Sequence, residues 1–328
     1  FLRSCFEYVC CNNNEDYVSH LPVTVDGSCN GLQHFSAMLR DDIGGAATNL
    51  INHEQPEDIY EIVRREAENG MVLDNNPEFN IWGSGGCLSR ALVKRPVMTT
   101  PYGATLYGMR DQIHEELKKQ LDKGVVFPGI DSNSDMWPHC KYLAFHIYEA
   151  IGRVVISSRL GMKWLQDVAK ASNKLKRPIY WTLPTGFVVK QKYIRSIVKE
   201  IKTIINGRMA SLFAGSSDAE KMHSFRQVNG IAPNFVHSLD ACHLMKTVVS
   251  ARDNHGIESF AVVHDSFGTH ACDIEQLGTV LRETFVEIYK KDILKKFMEE
   301  QGDLELPSLP EYGKLNIEDV KNAEFFFS

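Results

Sequence analysis

Two aspartates that stand far apart in the chain sit in matching surroundings. Asp26 lies in Val25-Asp26-Gly27-Ser28-Cys29-Asn30-Gly31-Leu32-Gln33-His34, and Asp265 in Val262-Val263-His264-Asp265-Ser266-Phe267-Gly268. Each string places its carboxylate between an apolar, strand-like run and a tight turn, with Gly and His close by. One aspartate at a strand end carries little information. Two of them suggest a shared floor on which hard oxygen ligands hold Mg²⁺ through one or two carboxylates, while water and substrate phosphates complete the shell. The chemistry of such a floor is two-metal phosphoryl transfer.

Between the two lies Lys94-Arg95-Pro96-Val97-Met98-Thr99-Thr100-Pro101-Tyr102-Gly103, and a further string, GIAPNFVHSLDACH, occupies residues 230–243. These four strings, in this order, resemble the polymerase motifs of the single-subunit RNA polymerases, the phage and mitochondrial enzymes. The likeness runs from about residue 18 to the last residue. It implies an α+β chain with the right-hand polymerase fold. Residues 1–42 and 238–328 would form a palm sheet carrying Asp26 and Asp265, and residues 43–237 a large, mostly helical fingers insertion. The thumb and amino-terminal domain would be absent. The implied activity is DNA-directed RNA synthesis: Asp26 and Asp265 hold two Mg²⁺ ions, Gly27 is a further metal contact, and ribonucleoside monophosphates pass from triphosphates to the RNA 3′ end.

Arg90, Lys94, Met98 and Tyr102 recur every four residues, and a step of four advances about 40° past a full helical turn. They trace one slowly turning stripe, either the basic face of an ordinary surface helix or a wall facing the carboxylates. In the second case the cations neutralise an incoming triphosphate and its leaving pyrophosphate, and the ring packs beside base and sugar. The resemblance assigns triphosphate contact to Arg90, triphosphate contact and a general-acid role to Lys94, and ribose selection to Tyr102. Met98 and Gly103 complete the substrate-binding segment, and Arg95 is read as structural. Pro96 and Pro101 fall inside the stripe, where an interior proline costs about 3 kcal/mol, so the helix is either kinked or continuous only in part.

Sugar choice turns on the fifth residue after Asp26. Related DNA polymerases carry a bulky Glu there, closing the space beside C2′. Here Gly31 leaves room for a 2′-hydroxyl, although a turn or helix-start glycine would look the same. His237 matches a family residue near the minor groove of the growing base pair, and read alone it is a core histidine. Tyr60 matches a tyrosine near the incoming nucleotide, or packs on its own helix. His264 supports the geometry of the site rather than binding metal, since Mg²⁺ prefers oxygen.

The scaffold for these residues is read from periodicity. A helix is predicted over 36–49, and an amphipathic one over 57–69 with Ile59, Ile62, Val63 and Ala67 on one side. A Gly-rich loop at 83–86, a helix over 112–123 and an apolar helical stretch over 142–169 follow. Strands over 179–183 and 186–189 are joined by Pro184-Thr185 in hairpin fashion. In the family a hairpin reads promoter DNA, and its match here is about 195–217. The terminal Phe325-Phe326-Phe327 should be buried near the active site, because a free tail would expose a large apolar area.

At 328 residues, 43% of them hydrophobic, the chain can bury two substantial lobes. It has no apolar run of about 18 residues, so no membrane span is predicted. Eight cysteines, two of them the adjacent Cys10 and Cys11, fit neither a disulfide framework nor a CxxC metal pair. Reduced thiols in an intracellular compartment follow: the cytoplasm of an infected bacterial host for a phage protein, with the mitochondrial matrix second. The net charge of -6 resides entirely in residues 273–328, with 13 acidic and 7 basic side chains. Residues 174–226 instead hold 11 basic and 3 acidic residues, either a solvated face or a surface for phosphates.

The chain begins at Phe1 and enters a helical pattern directly (Leu2, Cys5, Phe6, Val9), so it is read as the carboxyl-terminal part of something larger. Its expected partners are template and promoter DNA, the RNA product, nucleoside triphosphates, and an amino-terminal polymerase portion in cis or as a separate subunit. The alternatives are a related DNA polymerase or reverse transcriptase, which should carry a bulky residue in place of Gly31, and a non-catalytic DNA-binding subunit of a transcription complex.

Overall fold

The first catalytic string folds as strand, turn and helix. After helix α1 (Leu2–Asn13), strand β1 (Pro22–Asp26) uses the β-branched run Val23-Thr24-Val25, which suits a pleated surface. Helix α2 (Asn30–Leu39) is buried at every residue. Arg40 then turns left-handed (φ 56°), and the Asp41 carboxylate accepts from the Ile43 and Gly44 N–H groups to start α3 (Asp42–Ala47). The single helix expected over 36–49 is therefore two, separated by a cap that competes with helix continuation. A computed structural model supplies these coordinates. It describes every residue except 1, 15, 75, 84, 85 and 132, and every described side chain except those at 196 and 216–220. Phe1, two residues of the 83–86 loop and some side chains of the 195–217 segment thus lie outside the described residues.

Helix α4 (Ile59–Asp74) buries Ile59, Val63, Ala67 and Met71, as its periodicity predicts. Next come α5 (Phe79–Trp82), α6 (Arg90–Thr99), α7 (Leu106–Asp122) and α8 (Trp137–Val154). The apolar stretch expected over 142–169 breaks at Val155, whose non-helical backbone separates α8 from α9 (Ile156–Lys174). Strands β2 (Ile179–Thr182) and β3 (Val188–Gln191) form the expected hairpin. A long ribbon follows, β4 (Ile194–Ile205) and β5 (Arg208–Met222), turning at Asn206 and Gly207, both with positive φ (53° and 75°). That dipeptide matches the right-handed twist of paired strands. Helix α10 (Ser224–His255), strands β6 (Ala261–Val263) and β7 (Ser266–His270), and helices α11 (Ile274–Tyr289) and α12 (Ile293–Glu300) complete the mixed α and β chain.

Two hydrophobic cores hold these elements. One gathers α9 to α12, β2 and β7 around Trp164, Trp181, Phe235, Phe267, Phe285 and Phe297. The other gathers α4, α6, α7 and α8 around Val63, Trp82, Leu92, Val97, Ile113 and Leu143. Helix α2 joins them, giving Phe35, Met38 and Leu39 to the first and Leu32 to the second. No described helix is long and apolar enough to cross a membrane. All eight cysteines are free thiols.

The last three residues close the free edge of the β1–β7–β6 sheet. Asp26 N–H donates to the Ser328 carbonyl and Ser328 N–H to the Asp26 carbonyl, both at 3.1 Å. Phe326 is fully buried, its ring 4.8 Å from Phe285 and 4.7 Å from Phe327. Gln33 Nε2 holds the Phe326 carbonyl at 2.9 Å. The tail is thus buried and lies beside Asp26. Phe326→Ala is expected to destabilise the chain by about 3–5 kcal/mol, read as a lower urea midpoint; an unchanged midpoint would mean that the tail does not anchor the sheet.

Candidate active site

The two aspartates meet because β1 and β7 are antiparallel neighbours. Asp26 pairs with Ser266 at the end of the ladder, and Gly27 N–H donates to the Asp265 carbonyl at 3.2 Å. A two-residue loop, His264-Asp265, joins β6 to β7, and His264 adopts a left-handed φ of 58° to make it. A Cβ on Gly27 would press on Gln33 Oε1 at 3.0 Å and the Phe327 ring at 3.3 Å, so that these neighbours would have to give way. Asp26 is exposed and Asp265 half-buried. Burial raises the Asp265 carboxyl above its usual pKa; His264 pulls it down, while the charges of Asp240 and Asp26 add to the rise. Mutually repelling carboxylates beside a backbone carbonyl form a hard-oxygen donor set, and that set fits Mg²⁺.

His264 belongs to a polar network with the buried Asp240, Asn30, His34 and Tyr289, to none of which the sequence reading gave a role. Asp240, on α10, accepts from Asn30 Nδ2 at 2.5 Å through Oδ1 and bonds His264 Nδ1 through Oδ2. His34 Nε2 stands 3.9 Å from Asp240 Oδ1, and its Nδ1 is 2.6 Å from the Tyr289 hydroxyl. Burial alone would raise Asp240, yet His34, His264 and Asn30 outweigh it and hold the carboxyl below its usual value. His264 is thereby tied to Asp240, and through it to Asn30. The signal available was spacing: His237, Asp240 and His243 recur every three residues on one helix, with Asp240 and His243 buried.

On α6, Arg90, Lys94 and Met98 are exposed, while Leu92, Val93, Pro96 and Val97 face the core. Arg90 is paired with Asp58, and its guanidinium lies 4.8 Å over the Tyr60 ring; Lys94 Nζ lies 5.9 Å from the same ring. Tyr60 thus packs against both cations, and its hydroxyl is hydrogen-bonded to Cys29, whose thiol burial pushes up to about 12. Arg95 points elsewhere, to Glu115. Pro96 sits within a continuous α6, and Pro101 falls where the chain tightens into a 3₁₀ turn, Thr100–Tyr102. Gly103 ends that turn at φ 85°, a conformation that favours glycine.

Tyr102 is carried by the turn back to the floor. Its ring stacks on His237 with centroids 4.4 Å apart and planes at 19°, and His237 meets His264 edge-on at 5.4 Å. Partial burial and then His264 lower the His237 pKa, against the pull of Asp240 and Asp265. Burial and then the Asp240 charge raise the Tyr102 phenol. A Cβ on Gly31 would lie 2.8 Å from Pro101 Cγ and 2.9 Å from the Tyr102 hydroxyl, so Gly31 and Tyr102 border one space. Gly31→Ala is expected to overpack this contact, at about 1–3 kcal/mol, and to part the Tyr102–His237 stack. Thermal melting reads the first and the His237 proton shifts the second; wild-type values of both would remove the contact from the argument.

A sequence model of the family described as DNA-dependent RNA polymerase matches residues 1–303. T7 RNA polymerase from Escherichia phage T7 is 35% identical over 383 residues, covering 100% of this chain and 42% of its own length. DNA-directed RNA polymerase 1B, mitochondrial, from Nicotiana tabacum is 36% identical over 326 residues, covering 96% of this chain and 31% of its own. The chain thus spans less than half of these two relatives. DNA-directed RNA polymerase 2A of Nicotiana tabacum is 36% identical over 344 residues, with 98% of this chain and 96% of its own length aligned. With the four strings assembled around one floor and this extent of match, the chain belongs to the DNA-dependent RNA polymerase family of the single-subunit, phage type.

Proposed function

We propose that this chain is the catalytic portion of a DNA-directed RNA polymerase, adding ribonucleoside monophosphates to an RNA 3′ end on a DNA template. The observation that carries the reading is the join of β1 to β7, which makes Asp26 and Asp265 neighbours; the exposed Arg90, Lys94 and Met98 are read as the wall that faces them. Asp26, Asp265 and the Gly27 carbonyl would hold two Mg²⁺, which when bound supply Lewis-acid activation of the attacking hydroxyl and charge neutralisation on the leaving group. Lys94 and Arg90 bind the triphosphate, and Lys94 gives a proton to the departing pyrophosphate. Tyr60 keeps both cations aligned. Tyr102, stacked on His237 and bordered by Gly31, accepts the sugar with its 2′-hydroxyl, while His237 lies against the growing pair.

In this reading residues 1–42 and 238–328 make the palm, and 43–237 the fingers, whose α9 and β2–β3 pack on the palm-side core. The β4–β5 ribbon contacts promoter DNA. An amino-terminal polymerase portion, in cis or as a partner chain, steadies the template, and the setting is host cytoplasm or an organelle matrix. The test is primer extension on an RNA:DNA hybrid with Mg²⁺, comparing ribo- with deoxynucleotides, for this chain alone and with the amino-terminal portion of a relative. Ribonucleotide-selective extension, with selectivity relaxed in Tyr102→Phe, is the expected result. Equal use of deoxynucleotides by the wild type would favour a DNA polymerase, and no extension in any combination would defeat the catalytic reading.

A further inference from the structure

Tyr289 of α11 and His34 of α2 are both buried, and each serves the other: the Tyr289 hydroxyl lies 2.6 Å from His34 Nδ1. The tyrosine is gripped at a second point, since Arg40, at the end of α2, donates through Nη2 to the Tyr289 carbonyl. The His34 ring packs against Phe285, Tyr289 and His243, with centroids 5.3, 5.9 and 6.4 Å away. Packing of this density opposes a ring flip.

With the ring fixed, one freedom is left, namely which nitrogen carries the proton. A proton on Nδ1, whether or not Nε2 also holds one, would make the Tyr289 oxygen the acceptor. The buried phenolic O–H would then have no acceptor among the described residues, a costly arrangement. If the O–H of Tyr289 donates to Nδ1 instead, the imidazole proton sits on Nε2, 3.9 Å from Asp240 Oδ1, and every donor has a use. At that distance the N–H attracts the carboxylate without a direct hydrogen bond. Burial keeps the phenol protonated, pushing Tyr289 well above its ordinary value.

Asp240 passes the constraint on. It accepts from Asn30 Nδ2 at 2.5 Å and bonds His264 Nδ1, and His264, at φ 58°, makes the corner next to Asp265. We propose that Tyr289 is a positioning residue for the metal floor: its hydroxyl fixes the His34 tautomer, the Nε2 proton steadies Asp240, and Asp240 holds the His264 turn beside Asp265. That Mg²⁺ occupies the floor rests on the polymerase reading above; the relay from Tyr289 to His264 does not.

The test pairs two readouts on the full chain. Long-range proton–nitrogen correlation spectra of histidine-labelled protein, recorded without metal or nucleotide, report which imidazole nitrogen is protonated; His34→Gln and His264→Gln identify the two sets of signals. The wild type should show His34 protonated on Nε2 alone. Tyr289→Phe, which keeps the ring and removes only the oxygen, should mix the two tautomers and displace the His264 signals. In primer extension Tyr289→Phe should raise the Mg²⁺ concentration for half-maximal extension by about tenfold, with the ribonucleotide KM unchanged. The double variant His34→Gln, Tyr289→Phe should need no more Mg²⁺ than His34→Gln alone, because the hydroxyl acts through that ring. Ile288→Val, which trims a buried neighbour on α11, should keep the wild-type requirement and so separates lost packing from the lost hydroxyl. A proton on His34 Nδ1 in the wild type would overturn the proposal, as would a wild-type Mg²⁺ requirement in Tyr289→Phe, an equal rise in Ile288→Val, or additive effects in the double variant. A wild-type chain that extends no primer, yet shows the tautomer change and the His264 displacement in Tyr289→Phe, would keep the relay and defeat the polymerase reading alone.

Discussion

Asp265→Asn is expected to reduce ribonucleotide incorporation by about 10³-fold or more, while raising the melting temperature of the chain in EDTA. On the proposed reading the loss follows from removing one of two carboxylates that would hold Mg²⁺: several kcal/mol of charge stabilisation are at stake, and each 1.4 kcal/mol is about tenfold in rate. The gain follows from the electrostatics of the floor. Burial, aided by the charges of Asp240 and Asp26, holds the Asp265 pKa above its usual value against the pull of His264. The folded chain therefore takes up that proton more readily than the unfolded chain. An acid shifted in this direction costs stability once the pH exceeds its unfolded pKa, and an uncharged Asn removes the cost. The difference in melting temperature should fade as the pH falls below the ordinary carboxylate value of 3.8, where both states are protonated. Asp26→Asn should lose activity similarly, and the double variant should be scarcely slower than either single one, since the two act as a unit. Incorporation at the wild-type rate by Asp265→Asn would remove the residue from the chemistry.

What could be read from the sequence was local chemistry. The strand-turn arrangement around Asp26 and Asp265 was legible because β-branched runs ending at Gly or His turns leave few alternatives. The exposed stripe Arg90, Lys94, Met98 was legible because helical spacing alone fixes which side chains share a face. Breaks within helices were not. Arg40 and Val155 carry no proline or glycine signal, and the chain turns there because Asp41 caps a new helix and because α8 and α9 pack on different cores. The prolines were informative in part: Pro96 stays inside α6, buried with Leu92 and Val93, but the α-helix is not continuous through the stripe and gives way to a 3₁₀ turn at Pro101. The Asn206-Gly207 turn of the long ribbon was in plain view and could have fixed its register. Asp240 was quoted within its string but had no role, because that role exists only once α10 crosses beneath two turns from opposite ends of the chain.

That crossing makes Asp240→Ala as damaging to stability as Phe326→Ala, with a loss of about 3–5 kcal/mol, the usual consequence of removing one partner from a buried charged cluster. The buried Asn30 Nδ2 would be left without its acceptor in a water-poor place, and the exposed His264 ring would lose the bond that holds it. Because cooperation from His34, His264 and Asn30 overcomes burial and lowers the Asp240 pKa, the sign of the pH dependence is set. Its stabilisation is present above the unfolded carboxylate pKa and disappears as the pH falls through the lower folded value. Urea unfolding of wild type and Asp240→Ala should therefore converge below the ordinary value of 3.8, and a difference that stays constant from pH 7 down to acid would show that packing, not charge, is at work. Asn30 precedes Gly31 at the head of α2, and His264 forms the turn with Asp265, so one carboxylate braces both halves of the floor. The Mg²⁺ concentration for half-maximal extension should accordingly rise by about 10–100-fold, the range found when groups supporting metal ligands are removed. A variant that is destabilised yet keeps the wild-type Mg²⁺ requirement would confine Asp240 to the fold.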